Sequence, residues 1–427
     1  MTTTSRVAAL IAAMLVAAGA CGSGGTTARA GSGTPTSAPI SAKDASTAAP
    51  APTTARPTPG LTARAGSPEP WSLCSAATGL ADPGEVHGLF VAGPNQTNNA
   101  SLEASILKYL PTDPTICGAN LIIPWSSIDR GPGANPRYDW SYLDQAAAPW
   151  EAAGKIANLI VWGTDEKVTQ EVAGTPATPA YVLSSTDTVT CADVGKIPVY
   201  WEAGYQDPWR AFEAEVVAHV AGDAKIGYIR FGLGTGGEDF PVDGFDQGAC
   251  NQAWVAKGLT ADRWLSWSLS QIDYEASLHS DHPLNIGTNS FPGDKNLPDQ
   301  VAAEAAKYGI GIGMEGMTAT QVELATTHPD RCYADWCTTF PAWLGRVPIE
   351  VQPYSPTAPD GSGPTGALPP LLSYVITQTR AQVVELYAQE WLVADDPTWT
   401  GYAGYHDAYA SALKKAASEI GGARGGP

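Results

Sequence analysis

Three glutamates stand where apolar, β-rich runs give way to polar or glycine-rich sequence. They are Glu238 in "KIGYIRFGLGTGGEDF", Glu315 in "IGIGMEGM" and Glu350 in "VPIEVQPYS". A carboxylate set into such a run is costly to bury without a partner, so each position asks for a reason. The chemistry open to two opposed carboxyls is proton donation by one and nucleophilic or base catalysis by the other. The two must then sit in unequal environments. Burial or a like-charged neighbour keeps one protonated near neutrality, while the other stays ionised. Glu238 and Glu350 are 112 residues apart, and Glu315 is the competing partner at 77. The six histidines are scattered, and no metal cluster, Ser-His-Asp order or phosphate loop is visible. Neither a metal nor a cofactor is expected.

The elements that must position these groups are read from periodicity. From residue 85 onward, short apolar runs alternate with longer amphipathic segments, making eight strand–helix units. Near-continuous apolar strands covered by helices imply a parallel sheet buried on both faces. Eight units fit a closed (β/α)8 TIM barrel of the α/β class, whereas an open doubly wound sheet would carry a glycine fingerprint absent from "GLFVAGPNQTNN". Barrel sites lie at the C-terminal strand ends. That rule gathers Trp125, Ser126 and Asp129 after strand two, Trp162 after strand three, and Glu238 with Asp239 after strand four. Thr288, Asn289 and Ser290 follow strand five. Glu315 lies on strand six, Glu350, Gln352 and Tyr354 on strand seven, and Gln389, Glu390 and Trp391 on strand eight, the run "VVELYAQEW". Indole faces suit the C–H surface of a sugar, and carboxylates and amides suit its hydroxyls. Glu315, Asn289, Trp125, Trp162, Gln352, Tyr354 and Trp391 are therefore the expected substrate-binding set. Carboxyls about 5–5.5 Å apart would give retention at the anomeric centre, and a wider gap inversion.

The order of short motifs resembles the clan of (β/α)8 glycoside hydrolases with an acid/base Glu on strand four and a nucleophile Glu on strand seven. "IIPWSSIDRGPGANPRYDWSYLDQAAAPWEAAGK" is similar to the clan's second unit, and "EVQP" at 350–353 to the nucleophile segment of its β-galactosidases. Trp391 matches the indole that many members place beneath the sugar. The resemblance spans nearly all of residues 85–420. It implies that Glu238 is the general acid/base and Glu350 the nucleophile of a retaining enzyme, with Glu315 still open for the second role. The clan's acid/base follows an Asn that binds the 2-hydroxyl. Gly237 stands there in this chain, and Asn289 is the expected substitute.

Compartment and partners follow from the rest. Residues 1–20 read as a bacterial lipoprotein signal peptide, with Cys21 after "AAGA" as the lipidated residue that anchors the chain to the membrane. Residues 21–70 read as a disordered tether rich in Ala, Thr, Pro, Gly and Ser. Residues 71–424 are the catalytic domain, located outside the cytoplasm. The first seventy residues hold five basic and two acidic groups, so of the net charge of −19 the remainder carries about −22. Such a surface repels nucleic acid and anionic polymers and favours a neutral oligo- or polysaccharide. Beyond Cys21, six cysteines in an exported chain suggest disulfides, with Cys74–Cys117, Cys191–Cys250 and Cys332–Cys337 as the favoured pairing. Zinc held by His328, Cys332 and Cys337 is the rival, although no C-x-x-C occurs. The competing function is a carbohydrate-binding lipoprotein, either a transport receptor or a barrel without hydrolytic activity.

Overall fold

In the computed structural model the described residues are 86–96, 100–165, 176–191, 194–242, 244–289, 291–292, 294, 296–328, 339–396, 398–399 and 404–422. The signal peptide, Cys21, the tether, Cys74, Ser290, Cys332 and Cys337 lie outside them. Chain order begins β1 (Gly88–Ala92), α1 (Ala100–Tyr109), β2 (Ile116–Pro124), α2 (Ser141–Ala152), β3 (Ile156–Trp162), α3 (Ala180–Ser185), β4 (Thr188–Cys191) and β5 (Gly195–Pro198). It continues α4 (Ala203–Val220), β6 (Ile226–Phe231), α5 (Gly248–Ala256), α6 (Ala261–Ser277), β7 (Leu284–Gly287), α7 (Leu297–Lys307) and β8 (Gly311–Met317). The remainder is α8 (Ala319–Thr327), α9 (Phe340–Trp343), β9 (Ile349–Pro353), α10 (Leu368–Tyr374), β10 (Val383–Leu386), α11 (Ala388–Asp395) and α12 (His406–Gly422).

Eight parallel strands close in the order β1-β10-β9-β8-β7-β6-β3-β2. The expected (β/α)8 barrel is the fold observed. Side chains alternate between two cores, as a strand's period of two requires. The outward faces of β2 (Leu121, Ile123), β3 (Leu159, Val161) and β6 (Ile229, Phe231) pack into the helix layer. The inward faces supply Phe90, Ile122, Ile160, Trp162, Tyr228 and Val383 to a separate lumen cluster. Between them the lumen-facing positions carry polar groups, Asn120, Asn158, Arg230, Glu350 and Glu385 among them, all buried.

One local expectation is corrected. The run "VVELYAQEW" does not continue as a strand to Trp391. It pairs only through Leu386, turns at extended Tyr387, and enters α11, whose Ala, Gln, Glu and Leu are good helix formers. The segment between β3 and α4 holds α3 and an antiparallel hairpin, β4–β5, in which Thr188 faces Pro198 and Cys191 faces Gly195. A disulfide joins Cys191 at the hairpin to Cys250 on α5. Cys117 is also disulfide-bonded. Among the described residues, no helix is long and apolar enough to cross a membrane.

Candidate active site

Beyond Phe231 at the end of β6, the chain enters "GLGTGGED", which folds back over the barrel. The backbone N–H of Gly234 donates to Glu238 O at 2.7 Å, and Thr235 N donates to Phe240 O at 3.1 Å. Gly236 N reaches Thr164 O, just beyond β3, at 2.9 Å. Gly237 has φ +89°, a left-handed conformation that glycine accepts readily. A Cβ there would also press on Ile160 Cγ2 at 3.1 Å. A residue with a side chain would be strained at this position.

Glu238 is half-buried, and its Oε2 accepts from Asn289 Nδ2 at 2.6 Å. The other end of that amide, Asn289 Oδ1, accepts from Asp239 N at 2.9 Å. Asn289 therefore holds Glu238 in place, with both ends of its amide engaged. Asp239 is wholly buried: its Oδ1 takes hydrogen bonds from Trp264 Nε1 and Ser268 Oγ, each at 2.9 Å. The acid pair at the strand end thus divides, one member facing the mouth and the other pinning the loop to α6.

Glu350 and Glu315 sit on neighbouring strands at different depths. In the β8–β9 register Glu350 is paired with Gly313, whereas Glu315 is paired with Gln352, two residues nearer the C-terminal end. Glu350 is 1% exposed. Its Oε1 accepts from Asn120 Nδ2 at 3.0 Å and from the Tyr228 hydroxyl, and its Oε2 accepts from Arg230 Nη1 at 3.3 Å. Arg230 is the hub. Its Nη2 donates to Glu315 and lies 3.8 Å from Glu385 Oε1. Burial alone would lower the Arg230 pKa, but the charges of Glu350, Glu315 and Glu385 carry it well above its ordinary value. Burial first, and then the Glu350 charge, push Tyr228 well up, so it remains a phenol and a donor.

Two glycines let these parts approach. A Cβ on Gly287 would lie 3.2 Å from Glu238 Cα, and a Cβ on Gly313 would lie 2.8 Å from Glu350 Oε2. Gly287 and Gly313 are register partners on adjacent strands, roughly 5 Å apart. The Glu238 segment and the Glu350 carboxylate therefore rest over neighbouring glycines, on the same side of the barrel.

The remaining expected residues separate. Gln352 is half-buried and donates to the Tyr387 hydroxyl at 3.3 Å, while Tyr354 is 59% exposed just beyond β9. Trp162 packs in the lumen cluster at the end of β3. Trp125 and Trp391 are not on the rim: both are 0% exposed. Trp125 lies against Tyr205, Trp209 and Phe212 under the helix layer. Trp391 is on α11 and bonds Asp395. An indole following a strand has two apolar destinations, and here the helix layer outcompetes the mouth. Among the described residues, no group of His, Cys, Asp and Glu could hold a metal ion.

Sequence reasoning missed Arg230, Tyr228, Asn120 and Glu385. A signal was present in three of them, since Asn120, Arg230 and Glu385 each set a polar group into an apolar run, the same mark that singled out Glu350. The hairpin β4–β5 lies towards the same barrel end as Glu238, since Tyr200 just after it bonds Thr164 and Pro241 O, each at 2.8 Å. A cavity of about 270 Å³ opens between the hairpin and the end of β3, lined by Thr164, Asp165, Thr178 and Lys196 among others.

No protein-family model matches this sequence, and no curated protein does. Solved structures do. The catalytic domain of a β-amylase from Paenibacillus polymyxa superposes with a TM-score of 0.51 at 14% identity, covering 77% of this chain and 98% of that one. The chain is an α/β TIM barrel. A β-galactosidase from the psychrophilic Marinomonas ef1 aligns at 12% identity and a TM-score of 0.46, covering 79% of this chain and 59% of that one. Endo-glycoceramidase II from Rhodococcus sp. aligns at 11% identity and 0.43, covering 72% and 75%. At these identities the likeness is one of fold.

Proposed function

We propose that this barrel is a glycoside hydrolase acting on a neutral glycan by a retaining mechanism, with Glu238 as acid/base and Glu350 as nucleophile. The observation that carries the reading is the seating of the Glu238 loop over Gly287 while the Glu350 carboxylate lies over Gly313, its register partner. In the first step Glu238 gives its proton to the leaving oxygen as Glu350 attacks the anomeric carbon and the glycosidic bond breaks. Water, deprotonated by Glu238, then releases the sugar and restores both groups. Three donors on Glu350 fix its orientation before substrate arrives, and Asn289 does the same for Glu238. A β-amylase of the same fold is by name a carbohydrate enzyme, in keeping with this reading.

The burial of Glu350, with both oxygens engaged, favours a second reading in which Glu315 attacks. Glu315 is half-buried, ion-paired with Arg230, and one side-chain layer nearer the mouth.

The test is turnover of a panel of aryl glycosides, galactosides and arabinosides included, with the anomer formed first read by NMR. Glu238→Gln and Glu350→Gln are each expected to lose about a hundredfold to ten-thousandfold in rate. Near-normal turnover in Glu238→Gln removes it from the mechanism. An active Glu350→Gln beside an inactive Glu315→Gln moves the nucleophile to Glu315, and an inverted first product excludes the covalent route.

The same proposal places the domain outside the cytoplasm, tethered through lipidated Cys21. The "AAGAC" sequence and the Cys191–Cys250 disulfide support it, since stable disulfides belong to oxidising compartments. Membrane fractionation of the full chain and of Cys21→Ser checks it: the variant should leave the membrane fraction.

A further inference from the structure

Glu385, the third residue of β10, faces the lumen at 2% exposure and has no role in the reaction as written above. Its side chain is in hydrogen-bonding contact with Glu350. Around this pair the donors are unevenly shared. Asn120, Tyr228 and Arg230 all give their hydrogens to Glu350. Arg230 Nη2 stands 3.8 Å from Glu385 Oε1, too far for a hydrogen bond, and that oxygen has no hydrogen-bond partner among the described residues. Two buried carboxyls in contact cannot both be ionised, so one proton lies between them. With the protein's donors directed at Glu350, the proton belongs to Glu385.

We propose that Glu385 is a positioning residue for Glu350, a carboxylic acid whose O–H donates to the Glu350 carboxylate and whose ionisation sets the alkaline limit of the site. Burial first, and the neighbouring Glu350 charge second, hold the Glu385 carboxyl well above the usual range. The groups that face it are Glu350 on β9, Arg230 and Tyr228 on β6, Glu315 on β8 and Tyr387 just beyond β10; β1 offers Phe90 at the paired position. While Glu385 is neutral, the Arg230 cation balances two carboxylates, Glu350 and Glu315. When Glu385 ionises, three carboxylates press on one guanidinium, and one of the four hydrogen bonds that hold Glu350 becomes a repulsion. Glu350 then turns from its attacking position.

The kinetic consequence rests on the hydrolase reading, but the shared proton does not. Infrared difference spectra of the intact domain, wild type minus Glu385→Gln at pH 7, should show a carboxylic acid band rather than carboxylate bands. The same band should shift in Glu350→Gln, where a neutral amide oxygen replaces the charged acceptor. In the kinetic arm, Glu385→Gln keeps a neutral donor but cannot ionise, so the alkaline fall in kcat should move to higher pH by a unit or more. Carboxylate bands in the difference spectrum overturn the proposal, as does an alkaline limb unmoved in an active Glu385→Gln. If Glu385→Gln does not fold, a band unchanged between wild type and Glu350→Gln overturns it instead. A domain that turns over no glycoside, yet shows the acid band, retires the hydrolase reading and leaves the proton pair standing.

Discussion

Asp239 gives its carboxylate to the protein rather than to solvent, and that choice makes its neighbour usable. Two donors from α6, Trp264 Nε1 and Ser268 Oγ, fix Asp239 Oδ1, and the Asp239 N–H fixes the amide that holds Glu238. Asp239→Ala strips both donors of their carboxylate and is expected to cost about 2–3 kcal/mol in urea unfolding. Ser268→Ala, which removes one donor, should cost about 1 kcal/mol. Because the clamp sets the position of Glu238, Asp239→Ala should also lower kcat by about a hundredfold at temperatures where it remains folded. An Asp239→Ala protein as stable as wild type would mean that the clamp carries no load. At this scale the sequence was half legible. Glu238, Glu315 and Glu350 announced themselves as charges interrupting apolar runs. Their pairings did not, because Asn289 meets Glu238 across 51 residues and Asn120 meets Glu350 across 230. Spacing along the chain carries no trace of such pairings until the barrel closes.

At the scale of elements, the period-two strands and the helices between them were legible because each buries a face that sequence can mark. Less visible was what two helices place between them. On α4, Glu213 is fully buried and accepts from Gln271 Nε2 of α6 at 2.7 Å on both oxygens. One turn on, Glu275 is also fully buried and lies 3.4 Å from the same Nε2. Arg210 Nε reaches Gln271 Oε1 at 3.3 Å. Burial raises both carboxyls well above their ordinary values, and for Glu275 the Glu213 charge adds to it. In the unfolded chain each would titrate near 4.5. The favourable protonated state is therefore fully present below that pH, and its contribution is lost as pH rises through the raised folded values. Glu275→Gln removes a titrating group while keeping the shape. Its melting temperature should match wild type near pH 4.5 and exceed it by a few °C at pH 8. A difference between the two proteins that stays constant across that range would show that Glu275 does not titrate with folding.

For the whole molecule, the addition that departs from a plain alternation of strands and helices is the segment between β3 and α4. Its existence was legible as an interruption of the βα pattern. Its hairpin was not, since "TVTC" and "GKIP" are short and separated by residues with no strong turn signature. Besides its hydrogen bonds to the barrel, this segment is held by a covalent link to α5. Cys191 on β4 and Cys250 on α5 are 59 residues apart in sequence, and the loop they close contains β6 and the Glu238 turn. Closing a loop of that length restricts the unfolded chain by about 4 kcal/mol in the chain-entropy account. Cys191→Ser with Cys250→Ser should therefore lower the denaturant midpoint by an amount equivalent to several kcal/mol, and reductant should lower the wild-type midpoint by more than that of the double variant, which keeps the disulfide of Cys117. The hairpin packs beside Thr164 and Pro241, close to both sides of the Glu238 turn. If it walls the substrate cleft, loosening it should raise KM for long glycans more than for aryl monoglycosides, with kcat on the latter nearly unchanged. Equal losses on both substrate lengths would assign the hairpin to stability alone and take substrate length out of its control.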